Sequence, residues 1–347
     1  MLKPWIIPNQ AVITDVRQEQ LTGGDSFNAT MLRLYLTYDQ PTTTAPQTLV
    51  AKLPTLETEL HDRAQVFQPG SRENWFYRSG ADSSPMHVPR CYLNESDSST
   101  GESVLLLEDL APASPGRWLA GATLDQADLA LDSLARLHAH WWGQDDSKEI
   151  RELNHLLSGT STDETDLVQD LFNSAWPQFV SQMGVALPDD IHRFGDAIVG
   201  NIKLVDDLSD QGPPTLVHGD YRLDNMLFGK IDNGSICWVV DWEDVFFGSG
   251  MIDVTWFLGG CLLVEHSQYE SDLLRHYYQT LIDEGVKDYT WGQCYDDYRR
   301  NMCSSFVQGV LSANIDRDAG EYVQQLSHVI SERFIAAAGR LKLLTLI

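Results

Sequence analysis

The sequence predicts an α+β protein in two lobes, a small β-rich lobe over residues 1–107 and a larger helical lobe over 108–347. Three observations lead there. Met31 to Tyr38 alternates strictly, with Leu32, Leu34 and Leu36 on one face, which is the period of a half-buried strand. After Leu110 the apolar spacing becomes mostly that of helices. Inside the helical part lies one β island, where Asn225–Phe228 and Ile236–Asp241 flank the turn signal Asp232–Asn233–Gly234. A cleft between two such lobes is the first place to look for a ligand.

Taken in order, Thr48 to Leu53 (TLVAKL) reads as a second strand closed by Pro54. A helical interlude follows and breaks at Pro69–Gly70, with Ser71 placed to cap a short helix from Arg72 to about Ser79. Cys91–Asn94 and Ser103–Leu107 flank the polar loop Glu95–Glu102 as a hairpin. Thr123 and Gln126 form a capping box before a long helix, along which Ala127, Leu131, Leu134, His138 and Trp141 recur at helical spacing. His138 on that apolar face reads as a satisfied core histidine. Further helices are predicted over Leu167–Met183, Asp189–Asp207, Ser271–Glu284, Cys294–Ala313 and Glu321–Leu344.

Composition narrows the function classes. With 50 acidic and 24 basic side chains the formal charge is −26, which speaks against nucleic acid, since phosphate neutralisation needs clustered Lys and Arg. At 43% apolar residues the chain can bury a core and is not a disordered one. The longest apolar stretch, Val254 to Val264, is shorter than the roughly 20 residues a bilayer span requires. MLKPWIIPNQ predicts no secretory signal, and five scattered cysteines without a CxxC pair predict reduced thiols and a cytoplasmic protein. The acidity itself has two readings, a solvated surface or a cleft that steers a cation.

The chemistry concentrates around the hairpin. LVHGDYRLDNMLF precedes it and WVVDWED closes it. Phosphoryl transfer to a hydroxyl needs a carboxylate to take the hydroxyl proton, oxygen ligands for Mg²⁺ and a cation on the nucleotide. Asp220 fits as the base, with Asn225 five residues on and Asp241 at the end of the returning strand as metal ligands. A hairpin brings its strand ends together, so Asn225 and Asp241 converge although sixteen residues apart. Hard oxygen ligands suit Mg²⁺ rather than zinc. His218 reads as a buried hydrogen-bonding brace and not as a base.

HGDYRLDN followed by VDWEDVFFGSGMID resembles the aminoglycoside phosphotransferase/choline kinase-like family, within the protein-kinase-like fold. The resemblance runs from about Leu21 to Leu258, through His218, Gly219, Asp220, Asn225, Asp241, Gly248 and Asp253, the last implied to brace the catalytic loop. It implies ATP as cosubstrate, with Lys52 of LVAKLP on the α/β-phosphates and Glu73 of SRENWFYRSG as its ion-pair partner. VLLLEDL resembles the hinge strand that reads adenine, which makes Glu108 and Leu110 candidate nucleotide contacts. This segment, SRENWFYRSG and SLARLHAHWW resemble the ecdysteroid-kinase-like branch in particular, whereas D-W-E is closer to the bacterial and acyl-CoA-dehydrogenase-fused branch. LTGGDSFNAT departs from a G-x-G-x-x-G loop. It is either a plain turn or a phosphate contact through Ser26 or a neighbouring amide. Arg222 is either a surface arginine or a γ-phosphate contact.

Two functions follow. One is an ATP- and Mg²⁺-dependent kinase for a hydroxyl of a small molecule. The other is an inactive nucleotide-binding member acting as sensor or scaffold, although Lys52, Asp220, Asn225 and Asp241 are all retained. Only eleven residues separate Asp241 from Asp253, too few for a long segment that docks a peptide. A cationic acceptor such as an aminoglycoside or choline would use Glu243, Asp244, Glu265, Asp316, Asp318 or Glu321. An apolar one, such as a hydroxylated lipid or steroid, would use Trp242, Trp256 or Trp291.

Overall fold

Strands β1 (Ile13–Gln20), β2 (Ala29–Tyr38), β3 (Thr48–Pro54), β4 (Cys91–Ser96) and β5 (Ser103–Glu108) form one antiparallel sheet in the order β1-β2-β3-β5-β4. The structure, a computed structural model, describes residues 11–21, 29–41, 45–54, 69–97, 103–157, 164–232, 234–313 and 320–347. Central β3 is hydrogen-bonded on both edges, and Lys52 pairs with Met31 on one side and Leu105 on the other. Leu49, Ala51, Leu105 and Leu107 are buried, so the position of Lys52 in the sheet is fixed by its neighbours.

The short helix before β4 differs from its expected form. It runs Pro69–Trp75 (α1), so Pro69, Gly70 and Ser71 lie within it and Ser71 is no cap. The chain then widens into a π-turn over Phe76–Gly80. Trp75, Phe76 and Tyr77 are all buried, more consecutive rings than one α-helical face can turn inward. The wider turn takes up the extra residue.

In the second lobe Ser114–Pro115 (β6) pairs with Met226–Ile231 (β8), which forms the expected hairpin with Gly234–Val239 (β9). Asp232 takes a left-handed φ of 48° at the turn. Pro214–Val217 (β7) pairs with Phe246–Ser249 (β10), a ladder that the sequence patterns did not announce. The helices are α2 (Leu124–Trp141), α3 (Lys148–Leu157), α4 (Glu164–Met183), α5 (Asp189–Ile198), α6 (Lys203–Ser209), α7 (Met251–Cys261), α8 (Glu270–Asp283), α9 (Trp291–Ala313) and α10 (Glu321–Arg340). The capping box closes as predicted: the Gln126 amide donates to the Thr123 hydroxyl at 3.2 Å and the Thr123 amide to the Gln126 side chain at 3.1 Å.

Two long helices are interrupted. The one expected over Asp189–Asp207 stops at Ile198 because Gly200 turns the chain with φ 72°, and α6 starts afresh at Lys203. The last helix ends at Arg340 rather than Leu344. Lys342 takes φ 53° there, which lets a short 3₁₀ turn bury Leu343. The core lies where α2 packs on α8 and α9 packs on α7 and α10. His138 sits fully buried in it, with Nδ1 2.7 Å from the Tyr277 hydroxyl.

Candidate active site

The loop after β7 is shaped by its second residue. Gly219 has φ 87°, and a Cβ there would fall 2.3 Å from the Asp244 carbonyl oxygen. Only glycine allows that approach. Asp253, fully buried on the first turn of α7, accepts the amides of His218 at 2.7 Å and Gly219 at 3.0 Å. The His218 ring is braced from both nitrogens. Nε2 faces the Val240 carbonyl at 3.0 Å and Nδ1 accepts the Asp220 amide at 3.2 Å, the tautomer with its proton on Nε2. Buried Tyr221 ties the same loop to α2 through the Ala130 carbonyl at 2.7 Å. Backbone placement of Asp220 is therefore set by five hydrogen bonds.

Asn225 lies in the turn before β8, and Asp241 two residues past β9. The two converge because the Val240 amide bonds the Asn225 carbonyl at 3.0 Å, one step beyond the hairpin ladder. Asn225 Nδ2 donates to the Asp220 carbonyl at 2.9 Å and to Asp220 Oδ2 at 3.0 Å. Among the described residues its Oδ1 accepts no hydrogen bond. Asp241 holds φ 68°, a left-handed conformation unusual for a residue with a side chain, and such strain gathers at functional sites. With Asn225 Oδ1 and the Asp241 carboxylate the donor set is hard oxygen, which fits Mg²⁺.

Lys52 reaches this point from β3. Its Nζ lies 2.7 Å from Glu73, 2.6 Å from Asp241 and 2.7 Å from Glu243. Glu73, on α1, is 2% exposed and also accepts the Trp242 amide at 3.4 Å. Burial alone would lower the Lys52 pKa, but the three carboxylates hold it well above its ordinary value. One ammonium cannot neutralise three acids. Burial, with Asp241 and Glu243 nearby, pushes Glu73 up to about 7 despite Lys52. Burial would likewise raise Asp241, yet Lys52 draws it down. Asp244 at the rim is pushed up to about 6 by enclosure and by Asp220, Asp241 and Glu243; because it is exposed, the crowded charges are the cause that matters.

The remaining expectations resolve unevenly. Arg222 Nε lies 3.0 Å from Asp220 Oδ2, and its guanidinium stands 4.7 Å over the Trp118 ring. The Glu108 amide and carboxylate are both engaged by Arg90, at 2.8 Å and 3.1 Å. The Leu110 carbonyl accepts the Ala113 amide at 2.9 Å. Ser26, with Gly23 and Gly24, lies outside the described residues, as do Asp316 and Asp318. Glu243, weighed as an acceptor-side acid, is instead the third partner of Lys52. Trp242 is core: it stacks on Phe76 at 3.5 Å and is fully buried. Trp291 joins Tyr278 and Tyr295 under Arg275. Trp242 also packs on the His218 ring at 4.6 Å, and Trp256 reaches the Asp220 carboxylate itself, its Nε1 donating to Oδ1 at 3.0 Å. Its spacing was the available signal, since Trp256 follows Asp253 by three residues on one helix face.

Known proteins share this fold. An ethanolamine kinase from Plasmodium vivax superposes with a TM-score of 0.52 at 10% identity, over 94% of this chain and 83% of that one. An ADP-bound aminoglycoside phosphotransferase gives 0.47 at 14% identity over 93% and 95%, and a macrolide 2'-phosphotransferase from Brachybacterium faecium gives 0.42 at 15% over 91% and 91%. Among curated proteins there is no match. The fold is thus the bilobal protein-kinase-like one. The ecdysteroid kinase-like family model matches residues 23–288, and the chain belongs to that family of kinase-like phosphotransferases.

Proposed function

We propose that the protein transfers the γ-phosphate of ATP to a hydroxyl of a small molecule. One observation carries this: across the cleft, Lys52 Nζ reaches Glu73 and Asp241 at once, beside an Asp220–Asn225 pair. In this reading Asp220 accepts the hydroxyl proton as the oxygen attacks, and Lys52 holds the nucleotide phosphates. Asn225 and Asp241 would hold Mg²⁺, which supplies charge neutralisation on the phosphates. Arg222, next to Asp220 and steadied by Trp118, supplies a second positive charge where the phosphoryl group passes.

The surroundings of Asp220 favour an uncharged acceptor with an apolar body. Apart from Asn225, the side chains on its carboxylate are an indole and a guanidinium, and a cationic acceptor would meet the like charge of Arg222. Among the described residues no helix is long and apolar enough to cross a membrane. The test is consumption of ATP or GTP with Mg²⁺ over a panel of hydroxylated sterols, other neutral hydroxylated compounds, choline and aminoglycosides, with Asp220→Asn as control. Turnover confined to wild type supports the proposal. Equal silence of both proteins, each still binding Mg-ATP, favours the sensor role. Preference for cationic acceptors overturns the acceptor assignment.

A further inference from the structure

Asp220 is held by its side chain as firmly as by its backbone. Trp256 donates to Oδ1 at 3.0 Å and Asn225 to Oδ2 at 3.0 Å, while Arg222 lies 3.0 Å from Oδ2. A carboxylate turns broadly about its last torsion unless something stops it. One donor on each oxygen stops it, and among the described residues only the indole bonds to Oδ1. Without Trp256 the carboxylate would pivot on Asn225.

The indole is itself held. Trp256 stacks on Phe334 of α10 with centroids 5.2 Å apart at 28°, and Trp118 closes on it at 5.6 Å. Trp118 is fixed by its Nε1 on the Gly260 carbonyl at 2.9 Å and its amide on Asp224 at 2.8 Å. Buried Arg333, next to Phe334, donates to the Trp118 carbonyl at 2.7 Å and the Gly260 carbonyl at 3.0 Å. Helix α7 therefore grips one loop twice, its backbone through Asp253 and its carboxylate through Trp256.

We infer that Trp256 is a positioning residue for phosphoryl transfer: its indole N–H sets the Asp220 rotamer, so that the open lone pairs face the acceptor hydroxyl. This rests on Asp220 being the group that takes the hydroxyl proton. The indole contributes through geometry, because a charge-assisted bond to a fixed ring removes unproductive orientations before the acceptor arrives.

A double-mutant cycle on the full chain tests it, using Mg-ATP turnover and thermal unfolding of wild type, Trp256→Phe, Asp220→Ala and the double variant. Expected are a kcat about tenfold lower in Trp256→Phe with the nucleotide KM within about twofold, and no further loss when the change is made in Asp220→Ala. Trp256→His, which keeps a ring N–H, recovers part of the rate. Unchanged kcat in Trp256→Phe, or a loss that adds in full to that of Asp220→Ala, overturns the inference. If Asp220→Ala is as active as wild type, the base assignment fails first and takes the positioning role with it. A second measurement needs no folded Trp256 variant: the Trp256 indole N–H resonance shifts in Asp220→Ala if the bond exists, and stays in place if it does not.

Discussion

Lys52 and Asp241, 189 residues apart in the chain, meet at 2.6 Å and tie the sheet of one lobe to the hairpin of the other. This contact is the shortest statement of how the two lobes come to share one site.

Replacing Lys52 with Met leaves Glu73, Asp241 and Glu243 facing one another without their cation. Removing one partner of a buried ion pair costs about 3–5 kcal/mol. The variant should lose turnover and unfold at a lower temperature. Added Mg²⁺ should raise its melting temperature more than that of wild type, because a divalent ion relieves the same repulsion. Calorimetry with and without Mg²⁺ measures both.

Asp253→Ala removes the acceptor for a buried amide and a half-buried one, and a buried amide costs about 1–3 kcal/mol when orphaned. Urea unfolding should show a loss of about 3 kcal/mol, and any folded fraction should turn over slowly because the loop that carries Asp220 is released. Wild-type stability in this variant would remove the brace from the account.

Gly219→Ala puts a methyl group against the Asp244 backbone at a φ of 87°. The loop must shift, and displacement by about 1 Å is worth on the order of a hundredfold in rate. Steady-state kinetics should therefore show a fall in kcat far larger than the change in stability.

Acid stability should report on Asp109. Burial alone would raise its pKa, but the Arg33 fork at 2.8 Å and 3.2 Å, with the Ala111 amide, lowers it below 3.8. Its stabilising contribution is therefore full above about pH 4 and disappears as pH falls through the lowered value. Asp109→Asn should destabilise the fold at pH 7, and the difference should shrink as pH falls through the lowered value. A constant difference in unfolding free energy across that range would contradict this.

Much of the site was readable because its residues are close in sequence and their spacing carries geometry. The H-G-D loop, Asn225, and Asp241 on the returning strand all follow from one hairpin and its turn. Lys52 and Glu73 were readable only through their order relative to that hairpin. Trp256 was noticed for its size and not for its N–H, since nothing in a sequence says which way an indole points. Glu243 looked like an acceptor-side acid because a solvated carboxylate and one buried against a lysine read alike in one dimension. The π-turn after Trp75 and the break at Gly200 escaped the patterns for another reason: tertiary packing and a single positive φ decided them.

Phe334 lies in a slot cut for it by absent side chains. A Cβ on Gly259, Gly260 or Gly309 would come within 2.7 Å, 3.1 Å and 2.7 Å of its ring. The slot therefore ties the last long helix to the H-G-D loop through stacked rings. The family match stops at residue 288, some forty-six positions short of Phe334. A chain trimmed at that boundary would keep every letter of the motif and lose the keystone under its indole. The ring that holds the Trp256 indole in place thus lies outside the matched residues.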